Sequence, residues 1–287
     1  MNTYLDSLET SFAEHWHDVA LSNYGGEELT YGRVAAHVAA LHLLFEGLGV
    51  REGEHVAVCG APSARRSVAL LAVITYGATV VNCAHGHCPE GCGIMLADET
   101  CFAVMETEVK AMRCVLALDD FSLLHAADPV VAQACRGLEE RFNALYSGGL
   151  TPATLRFRRA AGTVAAIVSP DGLVVSYNTL CHSITAADAS LGLTAGDSLL
   201  ALLPPWSTDT VVNELLLPLR AGCQVHYVRT GIDVVEALAE VRPTVVDSLA
   251  VKQVESRLRK PVLSLWGRKH RQTQVAEALG GRVSNVI

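Results

Sequence analysis

Long blocks of consecutive basic residues are missing from this sequence of 287 residues. Charged residues make up 18% of the chain, with 30 acidic against 22 basic side chains and a formal net charge of −8. Lysine and arginine form nothing longer than short pairs such as Arg65-Arg66, so nucleic acid and anionic membranes are not expected as partners. The Arg65-Arg66 pair is predicted to lie on a solvated face or in an intramolecular ion pair rather than in a ligand site.

Long apolar runs are missing as well. The most apolar window, residues 67–84, is interrupted by Thr75, Gly77 and Asn82, whereas a membrane-spanning helix needs about 20 predominantly apolar residues. The sequence therefore predicts no transmembrane segment. Residues 1–6 lack the basic start and the apolar run of a signal peptide, which predicts a cytoplasmic location.

A disulfide framework is not expected either. The nine cysteines are scattered between Cys59 and Cys223, an odd number at low density, so we expect reduced thiols. A zinc site is the alternative for the densest group of soft ligands, but that group lacks the two well-separated close pairs that structural zinc sites favour. We therefore predict no stoichiometric metal, with Cys92 facing the core. The group comprises Cys83, His85, His87, Cys88, Cys92 and Cys101.

Helical and strand patterns alternate along the chain, which requires crossover connections and predicts largely parallel sheets covered by helices. The fold class is therefore α/β. A segment without either period, residues 150–159, suggests a first subdomain over 1–160 and a second over 161–287. Helices are predicted at 5–16, 30–48, 65–77, 92–97, 129–144, 177–189, 209–220 and 232–241, with two more between 248 and 281. Strands are predicted at 55–59, 79–82, 101–105, 113–118, 163–168, 198–203, 223–227, 244–247 and 282–287.

Several short motifs follow one another in a fixed order. They are LTYG at 29–32, LGVREGEHVAV at 48–58, ITYGATVVN at 74–82, LGLTAGD at 191–197, LLPP at 202–205, PLRAGC at 218–223 and VRPT at 241–244. Together they resemble the N-terminal domain of AMP-forming acyl-CoA synthetases, the adenylate-forming ligases that include long-chain fatty acid–CoA ligases. The resemblance covers about residues 4–287. It implies a ligase that uses ATP and magnesium to convert a carboxylate to an acyl-adenylate and then transfers the acyl group to coenzyme A.

One segment departs from that family. The family carries a Ser/Thr/Gly-rich loop that ends in a lysine and holds the ATP phosphates, whereas residues 167–175 here keep a single glycine and no lysine. Asp171 would repel a triphosphate and Pro170 has no N–H to donate. The nucleotide-loop candidates Ser169, Asp171 and Gly172 are therefore expected in a degenerate loop, with an ordinary tight turn as the alternative.

The acyl-pocket motif departs too. In the family a histidine follows the Leu-Pro motif, and here Trp206 and Ser207 follow Pro204-Pro205, so these two residues are the acyl-pocket candidates. The family's adenine, ribose and magnesium contacts and its C-terminal lid domain have no counterpart before Ile287. We therefore expect a truncated relative with little or no ligase activity, no catalytic residues and no cofactor, since ATP, magnesium and coenzyme A are implied only by the resemblance.

Other functions stay open. The main alternative is a non-catalytic binding or scaffold protein that uses the retained cleft, for example for a fatty acyl ligand, or the exposed truncated face. A separate chain that supplies the missing domain is another. A Ser169, His182 and Asp197 hydrolase is disfavoured because no Gly-x-Ser-x-Gly pattern surrounds a serine. The terminal strand at 282–287 predicts an exposed sheet edge and self-association through the second subdomain.

Overall fold

The computed structural model describes residues 3–83, 91–158, 160–229, 231–258, 275 and 277–287. Within these ranges the chain forms two sheets with flanking helices. The strands are β1 Val19–Asn23, β2 Glu28–Thr30, β3 His55–Cys59, β4 Thr79–Cys83, β5 Ile94–Ala97, β6 Cys114–Ala117, β7 Leu123–Ala126, β8 Ala165–Val168, β9 Val174–Ser176, β10 Ser198–Ala201, β11 Gln224–Tyr227, β12 Val245–Val246 and β13 Asn285–Val286. The helices are α1 Thr3–Glu14, α2 Tyr31–Gly47, α3 Ala64–Tyr76, α4 Glu99–Val104, α5 Glu106–Val109, α6 Pro129–Arg136, α7 Leu138–Leu145, α8 Tyr177–Leu191, α9 Thr208–Val211, α10 Leu217–Ala221, α11 Val234–Val241 and α12 Ser248–Leu258, with a π-helical turn over Val212–Leu216.

The first sheet has the strand order β7-β6-β5-β3-β4-β8-β9 within the described residues. Its inner strands β6, β5, β3, β4 and β8 are parallel, and the two outer strands pair antiparallel to their neighbours. Strands β3, β4 and β5 are almost entirely buried. Two largely parallel sheets with helices confirm the predicted α/β class.

The second sheet has the order β13-β12-β10-β11-β1-β2, and all its pairs are parallel except β1 with β2. Strands β1 and β2 come from residues 19–30, while β8 and β9, from residues 165–176, join the first sheet. Each sheet thus takes strands from both sides of residue 160. The division into subdomains at that residue stays a prediction.

Helix α3 carries much of the core. Every residue of the helix except Arg65 is buried, which explains why this segment is the most apolar window of the sequence. The Ser63 hydroxyl accepts a hydrogen bond from the N–H of Arg66 at 3.1 Å and caps the helix, as serine commonly does. Gly77, with φ of +88°, ends it in the left-handed conformation that glycine favours. The predicted helix at 65–77 is confirmed.

Two adjacent predictions are wrong. The patterns predict a helix over 92–97 and a strand over 101–105, and the structure has the reverse order. Residues 94–97 form β5, buried between β3 and β6, because a short apolar run does not distinguish a buried strand from a buried helix. Residues 99–104 form α4, where Asp98 accepts a hydrogen bond from the N–H of Cys101 at 2.7 Å and so caps the helix.

The remaining differences are smaller. Strands β1, β2, β7 and β9 have only three to five residues each and were not predicted. The helix predicted at 129–144 is divided at Gly137 into α6 and α7. One of the two helices predicted after residue 248 falls mostly outside the described residues. In the described part of the chain, no helix combines the length and the apolar character needed to cross a membrane.

Candidate functional site

The two candidate loops, at residues 169–172 and 202–207, follow strands β8 and β10. Strand β8 lies beside β4 in the first sheet, and β10 lies in the second sheet. Strand β8 leads into Ser169, and β10 leads into residues 202–205. The side-chain amide of Asn82, in β4, donates a hydrogen bond to the carbonyl of Pro205 at 3.0 Å and so ties the first sheet to the second. Because ligands of open α/β sheets bind outside the carboxyl ends of the strands, we place the candidate site here.

Residues 169–172 form a closed turn between β8 and β9. The N–H of Gly172 donates to the carbonyl of Ser169 at 2.9 Å, and the N–H of Ser169 donates to the carbonyl of Leu173 at 3.0 Å. A carboxylate oxygen of Asp171 accepts from the N–H of Leu173 at 3.2 Å. Gly172 has φ of +82°. Three of the N–H groups between residues 169 and 173 are therefore used within the turn, and Pro170 has none.

The acyl-pocket candidates lie beside this turn. The hydroxyls of Ser169 and Thr208 are 3.1 Å apart and share a hydrogen bond, so the two candidate loops are in direct contact. The Ser207 hydroxyl accepts from the N–H of Asp209 at 3.2 Å and caps α9. Trp206 is 37% exposed. The Ser207 side chain thus has a structural role at a helix start, while Trp206 lies on the surface.

The sequence analysis missed Glu214, a buried acid in the π-helical turn. One of its carboxylate oxygens accepts hydrogen bonds from the N–H groups of Leu202 and Leu203, at 2.9 and 3.0 Å. It therefore holds the backbone of the Leu-Pro motif in place. Burial raises the pKa of Glu214 to about 8, the two N–H groups oppose that rise, and the charge of Asp247 adds to it. The signal available in the sequence was one acid inside the apolar segment 210–219.

Arg66 is buried, and its prediction as a solvated or ion-paired side chain is wrong. Its guanidinium donates a hydrogen bond to the side-chain oxygen of Asn82, and its Nε has no hydrogen-bond partner among the described residues. Burial lowers the pKa of Arg66 to about 10, so the side chain stays charged at neutral pH. Arg65 does form the predicted ion pair, with Glu27 at 2.7 Å. The structure separates two neighbours that the sequence makes look alike, because only one of them points into the core.

Arg66 and Glu214 both line a cavity between α3 and the second sheet, which we call the inter-sheet cavity. Its free volume is about 20 Å³, room for about one water molecule. Its wall is mainly apolar with a few polar groups, the composition typical of small-molecule sites. The apolar residues are Pro62, Leu70, Leu203, Pro205, Val211 and Leu215, and the polar ones are Arg66, Ser67, Thr210, Glu214 and Tyr227.

The hydrolase alternative gains no support from the contacts. Ser169 shares its hydroxyl hydrogen bond with Thr208, and the Asp197 carboxylate accepts from Thr194 and Thr244. Each of these side chains is bonded to a threonine rather than to a histidine.

The described residues contain no group of three or more His, Cys, Asp or Glu side chains arranged to hold a metal ion. Cys92 is buried, as expected. His85, His87 and Cys88 lie outside the described residues, so the metal content of the cluster between Cys83 and Cys101 stays a prediction.

Comparison with known proteins identifies the fold. Residues 8–148 match the family model described as AMP-binding enzyme. No curated protein matches the sequence. A long-chain-fatty-acid–CoA ligase from Archaeoglobus fulgidus superposes with a TM-score of 0.71 at 12% identity, over 99% of this chain and 63% of that one.

Two further structures give similar values. A fatty acyl-adenylate ligase from L. pneumophila, solved with acyl adenylate and pyrophosphate, has a TM-score of 0.67 at 13% identity, over 98% of this chain and 53% of that one. ATP-bound MatB from Rhodopseudomonas palustris has a TM-score of 0.66 at 15% identity, over 98% and 54%. The chain thus spans little more than half the length of these two proteins.

Proposed function

Because residues 8–148 match the AMP-binding enzyme family model and the described chain has the fold of adenylate-forming ligases, we propose that it is an acyl-CoA-synthetase-like protein with little or no ATP-dependent ligase activity. The 169–172 turn carries this proposal. A phosphate-binding loop works by directing several free N–H groups, and commonly a lysine, at the anion. Here the N–H groups of Ser169, Gly172 and Leu173 bond within the turn, and the side chain at its tip is the exposed carboxylate of Asp171.

The same turn does not fit the triphosphate that the family resemblance implies. A bound triphosphate would have to displace the internal hydrogen bonds of Ser169, Gly172 and Leu173 and would face the negative charge of Asp171. Ser169, Asp171 and Gly172 therefore act as a structural hairpin connection in this proposal. Neither magnesium nor coenzyme A is assigned a residue.

Titration calorimetry of the 287-residue chain with ATP and magnesium tests the proposal, with and without a long-chain fatty acid. We expect no saturable heat up to millimolar ATP, because the turn offers repulsion in place of N–H donors. The MatB protein that was crystallised with ATP is the positive control, and the melting transition of our chain establishes that it is folded. Saturable binding at micromolar ATP would contradict the proposal.

The inter-sheet cavity favours a second function, the binding of a carboxylate ligand such as a fatty acid without its activation. Among the described residues no carboxylate is paired with the buried Arg66 guanidinium, so its charge carries a desolvation cost that an anionic ligand would offset. The cavity as it stands has room for about one water molecule, so the apolar residues around Arg66 would have to move apart to accept the hydrocarbon part of such a ligand. A non-catalytic acyl-binding protein would account for both the buried Arg66 guanidinium and the apolar residues around it.

Thermal unfolding with straight-chain carboxylates of increasing length tests this second function. Ligand binding to the folded state alone raises the melting temperature, by the equivalent of about 2.7 kcal/mol at a hundred times Kd. We expect a saturable rise that Arg66→Met abolishes, that Arg66→Lys partly keeps, and that Arg65→Met leaves unchanged. No saturable rise with any chain length, or an equal rise in Arg66→Met, would exclude this function.

A further inference from the structure

Two cysteines that do not line the inter-sheet cavity contact each other, one from a strand and the other from a helix. The Sγ atoms of Cys114, in β6, and Cys135, in α6, are 3.9 Å apart and within hydrogen-bonding distance. Cys114 is completely buried, whereas Cys135 is half-buried. One thiol of the pair therefore belongs to a partly exposed residue, and the other belongs to a buried one.

The surroundings make the two thiols unequal. The two thiols share a hydrogen bond, and that bond, together with the charge of Arg141, lowers the pKa of Cys135. The bond to Cys135 and burial both raise the pKa of Cys114. Arg141 is itself fixed by hydrogen bonds to the carbonyls of Ala134, at 2.7 Å, and Leu43, at 3.4 Å. Cys135 is thus the member that ionises, which is the nucleophilic form of a thiol.

The other described cysteines lack this combination. Cys181 is the one further cysteine of the described set that is not buried, and burial of its thiol raises its pKa. The rest are buried in the core. Exposure and ionisation therefore coincide at Cys135 among the described thiols.

We propose that Cys135 and Cys114 form an oxidative modification site that reacts with peroxides. The Cys135 thiolate attacks one oxygen of hydrogen peroxide, and the O–O bond breaks. Cys135 becomes a sulfenic acid, and the other oxygen leaves as hydroxide, which is protonated to water. The Cys114 sulfur then attacks the Cys135 sulfur, loses its proton and expels a second water. The net reaction converts two thiols and one hydrogen peroxide into one disulfide and two waters.

The resulting disulfide would join α6 to β6. Its sulfur atoms must approach from 3.9 Å to about 2.05 Å. Only Val131 of the eight residues of α6 is buried, so few core contacts oppose this approach. The bond would close a loop from residue 114 to residue 135 and restrict the unfolded chain, so the oxidised protein is expected to melt at a higher temperature.

The experiment treats the purified chain with stoichiometric hydrogen peroxide and maps the products by mass spectrometry after alkylation of the remaining thiols. We expect a Cys114–Cys135 disulfide in the wild type and in Cys181→Ser, and none in Cys135→Ser. Cys135 should react faster than Cys181, because the pKa of Cys135 is lowered and that of Cys181 is raised. In Cys114→Ala, a sulfenic-acid probe should label Cys135.

The matched variants keep the outcomes distinct. Cys135→Ser and Cys181→Ser each replace a half-buried thiol and are not expected to disturb the core. Oxidation of another cysteine before Cys135, or a stable Cys135 sulfenic acid in the wild type without a disulfide, would overturn the proposal. An unchanged melting temperature on disulfide formation would contradict the tether between α6 and β6 and leave only the chemistry.

Discussion

At the scale of single residues, the inter-sheet cavity depends on two buried side chains with different tasks. Arg66 is bonded to Asn82 and brings positive charge to the cavity wall. Glu214 bonds the backbone of Leu202 and Leu203 and fixes the shape of the loop that leads to Trp206. One residue therefore offers a charge to a ligand, and the other supports the wall that the ligand would contact.

Glu214 makes the stability of the fold depend on pH. Its pKa is about 8 in the folded protein against an ordinary 4.5, so between these values the folded state binds more proton than the unfolded state. The stabilisation from the protonated carboxyl is complete below about 4.5 and is lost as the pH rises through about 8. The direction is opposite to that of a salt-bridged carboxylate.

Glu214→Gln tests this assignment, because glutamine keeps the acceptor oxygen for Leu202 and Leu203 and never ionises. We expect the melting temperature of Glu214→Gln relative to the wild type to rise steadily between pH about 4.5 and about 8. Glu28→Gln, at an exposed position of β2, should show no such trend. A difference between Glu214→Gln and the wild type that does not vary with pH would mean that Glu214 is not the titrating group.

At the scale of elements, α3 links local sequence signals to the cavity. Its N-terminal cap, Ser63, precedes Arg66 by three residues and bonds the Arg66 N–H. This cap therefore fixes the first turn of the helix, which carries Arg66, the residue whose guanidinium bonds Asn82. The same helix is packed against α2 and against strands of both sheets. A change in the position of its first turn would therefore disturb packing in the core.

Replacing the cap residue Ser63 is expected to change the free energy of unfolding by an amount typical of helix caps. Ser63→Ala is expected to lower the free energy of unfolding by about 1 kcal/mol, since the N–H of Arg66 loses its acceptor. Ser63→Asn supplies another side-chain oxygen and should keep most of the stability. Urea unfolding followed by circular dichroism measures both values. Equal stability of Ser63→Ala and the wild type would show that solvent replaces the hydroxyl at this position.

At the scale of the whole molecule, strand β13 ends the second sheet within the described residues. In the part of the chain that the structure describes, β13 is paired on one side, to β12, and Val286 is 52% exposed. Open sheet edges pair readily with other chains. The 287-residue chain is therefore expected to associate through this edge, as the sequence predicts for residues 282–287.

Analytical ultracentrifugation over a range of concentrations tests the association. We expect self-association in the wild type and less of it in Val286→Lys, because charged side chains protect exposed sheet edges. Val130→Lys is the control, since Val130 is 76% exposed on α6, away from this edge. A monodisperse monomer at tens of micromolar, or equal behaviour of the two lysine variants, would rule the edge out as the contact.

The sequence by itself determined those features of the fold whose signals lie in residues close together in the chain. Capping residues and apolar spacing located α2 and α3, and the runs that became β3 and β4 were assigned correctly, because their signals lie within a few residues of the element. The order of motifs from Leu29 to Thr244 also identified the fold. The turn at residues 169–172 followed from Pro, Asp and Gly in succession.

Only the tertiary structure decided which distant segments meet. It placed β1 in the second sheet beside β11, buried Arg66 while leaving Arg65 paired to Glu27, and brought Cys114 to Cys135. It also exchanged the predicted helix and strand around residue 98, since burial between β3 and β6 outweighs weak local preference. Crossover connections and strand register set these contacts, and no short stretch of sequence contains that information.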